Sequence, residues 1–145
     1  MRRPYIMLIE DNSDDIELTK RAFAKHHLLN DLEIFRDGAE AAEFLFNSST
    51  TERGLPQVIL LDFNLPKISG LELLQQIRSD ARTATVPVIM LTSSALQEDL
   101  GAGYRHGANS YVRKPVDFDD FVETVGQVGL YWTVLNEAPR PESSS

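Results

Sequence analysis

The chain has no cysteine, which excludes disulfides and thiolate-bound metal centres and fits a cytoplasmic protein. Histidine is scarce: His26, His27 and His106 are the whole complement, all read as surface residues, and none ends an apolar run. A metal site or nucleophile built on histidine is therefore not expected. No apolar run approaches the ~18 residues that a membrane-crossing helix needs, and the opening MRRPYIMLIEDN turns acidic too early for a signal peptide. Positive charge is also short, with 14 Lys and Arg against 22 Asp and Glu, a net charge of −8 and no basic cluster. Such a chain repels nucleic acid, whose binding rests mainly on phosphate contacts.

What is present is ordinary in bulk. At 145 residues, 42% apolar and 25% charged, the chain is long enough for one domain with a proper core. Continuous apolar runs at Tyr5 to Ile9, Val58 to Leu61 and Val88 to Leu91 read as strands covered on both faces. Leu32 with Ile34, and Tyr111 with Val112, mark two weaker strands. Helical patterns lie between them: one opened by Asp14 and Asp15, one over Ala39 to Phe46, one carrying Leu71, Leu74 and Ile77, and a last one from near Asp117. A fourth, Leu96 to Tyr104, is weakened by Gly101 and Gly103 at about 1 kcal/mol each. Alternating strands and helices imply right-handed crossovers and a parallel sheet. For this size the expected arrangement is a doubly wound α/β fold with strand order 2-1-3-4-5. Ligands there sit beyond the carboxyl ends of strands 1 and 3.

Those ends are unusual. The first strand closes on Glu10 and Asp11, and the third on Asp62, in VILLDFNLPKISG. Each acid alone could be a turn or cap residue. Gathered at one switch point they would repel one another and raise their pKa values, unless a cation offsets the charge. Carboxylates with room for water suit Mg²⁺. No glycine-rich turn follows the first strand to cradle a flavin or nucleotide phosphate. The fourth strand ends at Thr92 and Ser93, the fifth at Lys114. Acids, a hydroxyl and an ammonium together fit a site that accepts a phosphoryl group on a carboxylate, with Asp62 as the nucleophile.

At this point the pattern resembles the receiver domain of two-component response regulators. The residues that carry the likeness are Glu10-Asp11, Asp62 in DFNLPKISG, Thr92 in MLTSS, and Tyr111 with Lys114-Pro115 in YVRKP. The resemblance implies a (βα)5 flavodoxin-like sandwich in which Asp62 takes phosphate from a phosphohistidine on a sensor kinase. It implies that Glu10, Asp11, Asp62 and the Asn64 carbonyl hold Mg²⁺, Glu10 through water. Lys114 would pair with the phosphate across a cis Lys114-Pro115 peptide. Thr92 would move toward the phosphate while Tyr111 turns inward; the plainer reading of Tyr111 is a strand aromatic packed on a helix. The signal would leave through the fourth helix, fifth strand and fifth helix. Asn64 and Ser94 would influence how long the phosphate lasts. Pro66 and Gly70 read as turn geometry.

The last helix runs on. Phe118, Phe121, Val125, Val128, Trp132 and Leu135 make a heptad-like seam, so an extended C-terminal helix is expected, with a bend allowed by Gly126 and Gly129. Its second half, with Tyr131, Trp132 and Leu135, either folds back on its own domain or meets a second copy in a homodimer. The expected division is a receiver domain over residues 1–128, an extension over 129–138 and a disordered tail over 139–145. With no output domain expected, the chain is similar to the single-domain response regulators partnered with bacterial and cyanobacterial phytochrome kinases, which are typically dimeric. The expected function is a phosphoacceptor switch that catalyses only its own phosphorylation and dephosphorylation and signals through protein contacts. Two other readings stand beside it. One is an aspartyl-phosphate hydrolase, for which Asn64 occupies the place of the usual second acid. The other is a docking module that is never phosphorylated.

Overall fold

The computed structural model describes residues 5–25, 31–47, 54–93, 105 and 107–130. Five strands form one parallel sheet: β1 (Tyr5–Ile9), β2 (Asp31–Phe35), β3 (Val58–Asp62), β4 (Val88–Thr92) and β5 (Ser110–Arg113), in the order β2-β1-β3-β4-β5. This is the doubly wound arrangement that the strand and helix alternation predicts, and the flavodoxin-like sandwich that the resemblance implies. The described helices are α1 (Ser13–Lys25), α2 (Gly38–Phe46), α3 (Gly70–Ser79) and α4 (Phe118–Gln127). Among the described residues no helix is long and apolar enough to cross a membrane.

The apolar runs are continuous because both faces of the sheet are covered. Alternate residues separate cleanly. Met7, Ile9, Ile59, Leu61, Val88 and Met90 face a core shared with Ala41 and Leu45 of α2 and Leu73, Leu74 and Ile77 of α3. Ile6, Leu8, Val58, Leu60, Ile89, Leu91 and Val112 face the other core, with Ile16 and Phe23 of α1 and Phe121 and Val125 of α4. The rings of Phe23 and Phe121 lie 4.8 Å apart and tie α1 to α4. On α3 the buried pair is Leu73 and Leu74, while Leu71 is only half-buried.

The helix termini follow their side-chain signals. Ser69 and Glu72 form a reciprocal capping box at the start of α3. Asp37 caps α2, and Asp117 accepts from two amides at the start of α4. At the other end of α4 the chain leaves the helix at Gly129, with φ +78. Leu130 N–H donates to the Val125 carbonyl and Gly129 N–H to the Gly126 carbonyl, which is a Schellman termination. The extended helix expected from the apolar seam therefore ends, among the described residues, at Gln127, beside the glycines that weaken it. Residues 131–145, including Tyr131, Trp132 and Leu135, lie outside the described residues, as do the extension beyond Leu130 and the tail. So do His26, His27 and His106, Ser94, and the Leu96 to Tyr104 segment.

Candidate functional site

Every strand that contributes to the site does so at its carboxyl end, where the sheet hands over to loops. β1 runs into Glu10, which is 1% exposed, and Asp11, which is exposed. β3 ends on Asp62, also 1% exposed. One carboxylate oxygen from each of Glu10, Asp11 and Asp62 lies within 4.8 Å of the others. The parallel register that sets β1 beside β3 brings them there, pairing Ile9 with Leu61.

The backbone holds two of these acids in place. Asn64 N–H donates to Asp62 Oδ1 at 3.0 Å, and Asn12 N–H to Glu10 Oε2 at 3.2 Å. Among the described residues nothing donates a hydrogen bond to the buried Asp62 Oδ2. The Lys114 ammonium stands 3.3 Å from it, an ion pair without hydrogen-bond alignment. A buried carboxylate oxygen without a donor is costly in a folded chain, and it is the natural place for a reacting atom or a cation.

Lys114 arrives from the loop after β5, through a cis Lys114-Pro115 peptide, and its backbone N–H donates to the Thr92 carbonyl at 2.9 Å. Its ammonium donates to Glu10 Oε1 at 3.2 Å and Oε2 at 3.3 Å, and lies 3.2 Å from Asp15 Oδ2. Burial alone would lower its pKa. The charges of Asp62 and Glu10 outweigh that, so the ammonium is held more firmly than usual. Glu10 responds in the opposite sense. Burial first, then the neighbouring Asp62 carboxylate, push its carboxyl from 4.5 to about 7, against partial relief from Asn12 N–H and Lys114.

Thr92 closes β4, one residue past Leu91, the register partner of Asp62, and is 3% exposed. Tyr111 pairs with Met90 in register and packs half-buried against the core under α2 and α3. Asn64 is exposed at the rim. The structure thus brings Glu10, Asp11, Asp62 and Lys114 into one cluster, with Thr92 and Asn64 adjoining it and Tyr111 on the neighbouring strand. One member of the constellation was not singled out from the sequence. Asp15 reads there only as an acid in the first turn of α1, favoured by the helix dipole. The available signal was position: that turn begins directly over the carboxyl end of β1.

Residues 6–126 match the family model of the response regulator receiver domain. The chain belongs to this family. Proteins of the family act as phosphoacceptor switches, not as turnover enzymes. This receiver is 38% identical over 136 residues to the probable methanogenesis regulatory protein FilR2 of Methanothrix harundinacea (strain 6Ac), covering 94% of this chain and 88% of that one. Among solved structures it is similar to the bacteriophytochrome response regulator RtBRR, at 45% identity and TM-score 0.81, covering 99% of the receiver and 87% of RtBRR. The bacteriophytochrome response regulator AtBRR follows at 42% identity and TM-score 0.81, over 94% of the receiver and 99% of AtBRR. The receiver is therefore homologous to phytochrome response regulators.

Proposed function

We propose that this receiver accepts a phosphoryl group on Asp62 from a phosphohistidine of a sensor histidine kinase, in a Mg²⁺-dependent reaction. The single observation that carries the reading is Asp62 Oδ2, a buried carboxylate oxygen with no hydrogen-bond donor among the described residues, facing an ammonium 3.3 Å away. In the transfer this oxygen forms a bond to phosphorus as the phosphorus–nitrogen bond of the donor breaks, and the donor imidazole leaves. The Lys114 ammonium would offset negative charge on the phosphoryl oxygens, and Thr92 at the end of β4 would donate a hydrogen bond to one of them.

The donor set fits a hard divalent cation: three clustered carboxylates, of which Glu10 and Asp62 are buried, with the Lys114 ammonium beside them. Glu10, Asp11, Asp62 and the Asn64 carbonyl would hold it, and the ion would supply charge neutralisation at the transferring phosphoryl group. Phosphorylation adds about −1.5 to −2 charges. A shift of Thr92 toward that charge, followed by Tyr111, would turn it into a change of surface that a downstream protein reads.

The partner we assign is a phytochrome-type kinase, supported by the likeness to RtBRR and AtBRR. Residues 1–128 would form the receiver domain, residues 129–138 with Tyr131, Trp132 and Leu135 the contact between two copies, and residues 139–145 a tail. The test of the central reading uses acetyl phosphate and Mg²⁺. Acid-stable, hydroxylamine-labile label is expected on the wild type, and none after Asp62→Asn or with the metal chelated. Label that persists in Asp62→Asn overturns the assignment. Sedimentation equilibrium of Trp132→Ala tests the dimer: an unchanged mass removes Trp132 as an anchor.

A further inference from the structure

Among the described residues the Lys114 ammonium has three anionic neighbours, of which two belong to the acidic cluster. Glu10 and Asp62 are both in that cluster, while Asp15, equally close at 3.2 Å, is not. Asp15 is also the most open of the three, with 20% of its side chain exposed against 1% for each of the others. Its backbone is fixed. Asn12 Oδ1 accepts from Asp15 N–H at 3.0 Å, and the Asp15 carbonyl accepts from the buried Thr19 hydroxyl at 2.8 Å. The next residue, Ile16, is seated in the core. The carboxylate is therefore presented to the lysine from a rigid first turn of α1.

A conflict is built into this arrangement. Lys114 already occupies Glu10 through hydrogen bonds to both of its carboxylate oxygens. A cation that draws on Glu10 and Asp62 must share them with an ammonium or displace it. A half-buried ammonium displaced without another anion in reach is left poorly compensated. We propose that Asp15 is a positioning residue: it gives Lys114 a berth outside the cluster, so that Glu10 and Asp62 can turn to a divalent cation while the lysine stays at the mouth of the site. The proposal rests on the Mg²⁺-dependent reading above. By reciprocity, a metal that strengthens the Asp15–Lys114 contact is itself bound more tightly because Asp15 is there.

The experiment is calorimetric titration of the full chain with Mg²⁺ alone, no phosphodonor present, at physiological ionic strength. Asp15→Asn is expected to raise the Kd by about fivefold or more, at the lower end of ordinary coupling between sites. Asp15→Glu, which keeps the charge, is expected to recover the wild-type value to within about twofold. In a Lys114→Met background the Asp15→Asn change should shrink below about twofold, because an exposed charge acting at a distance is largely screened. Asp15→Ser serves as a second neutral variant, and the melting temperature of each metal-free variant checks folding. An unchanged Kd in Asp15→Asn overturns the proposal. So does an equal loss with and without Lys114, which would make Asp15 a plain charge near the metal. Mg²⁺ binding without label on Asp62 would sink the functional reading and leave this one standing; label with an unaltered Kd in Asp15→Asn would do the reverse.

Discussion

Gly70 and Asp62 are packed so closely that a Cβ on the glycine would stand 2.3 Å from the Asp62 carbonyl oxygen. It would also meet Phe63 Cα at 2.9 Å and the Phe63 carbonyl oxygen at 3.0 Å, all backbone atoms that cannot swing aside. The requirement is for space. Gly70→Ala is expected to cost about 2–3 kcal/mol, as overpacking in a core does. It should also displace the turn that carries Asp62, so label from acetyl phosphate falls by more than the loss of folded protein. Denaturant melts and label measured on the same samples separate the two effects.

The raised Glu10 carboxyl predicts a pH dependence for the metal-free protein. Its folded value, about 7, lies above the ordinary 4.5, so folding favours the protonated acid. The contribution to stability is complete below about 4.5 and is lost as pH rises through about 7. Melts in chelator should therefore show stability declining across that window. Asp62→Asn removes the neighbouring charge that helps raise Glu10, and the decline should become shallower. A flat profile in the wild type would contradict the electrostatic account of the site.

Arg78 makes a prediction about stability without chemistry. Its guanidinium donates to the carbonyls of Gly107 at 3.0 Å, Ala84 at 3.1 Å and Val86 at 2.7 Å, and to Asn109 Oδ1 at 2.9 Å. It thereby ties the end of α3 to the segments that enter β4 and β5. Lysine cannot reproduce the planar fork. Arg78→Lys should cost about 2–4 kcal/mol, the sum of several acceptors left short of donors. Label on Asp62, measured well below the melting temperature, should stay near wild type, since the hydrogen bonds of Arg78 run to the entries of β4 and β5, at the opposite end of the strands from Asp62.

Lys67 holds φ at 64°, a left-handed conformation that costs a non-glycine residue about 1 kcal/mol. Lys67→Gly relieves that strain but frees the unfolded chain, so a net gain of about 0.5 kcal/mol is expected. Chemical denaturation resolves it. A loss of stability would mean that the exposed side chain contributes contacts of its own.

Much of this molecule is legible in its sequence, for identifiable reasons. β1, β3 and β4 read as unbroken apolar runs because two different cores flank them, one on each face. β2 and β5 are weaker signals because they are edge strands: every residue of β2 is half-buried, and β5 ends on an exposed arginine. On α3, three leucines at positions 71, 73 and 74 fit more than one helical face, and packing selects Leu73 and Leu74 over Leu71. The acids Glu10, Asp11 and Asp62 stand out because charge at the end of a buried strand demands a reason. Asp15 does not, since an acid in the first turn of a helix already has one in the helix dipole. Only the strand order, which sets Lys114 across the sheet against α1, reveals its second use.

Among the described residues, helices cover both faces of the sheet and Asp62 stands at the tip of a central strand, so a donor for the proposed phosphorylation would come along the strands. Such a donor would meet the carboxyl ends of the strands, where Glu10, Asp11 and Asp62 are gathered. A protein donor would have to bring its labile group to the same end of the sheet.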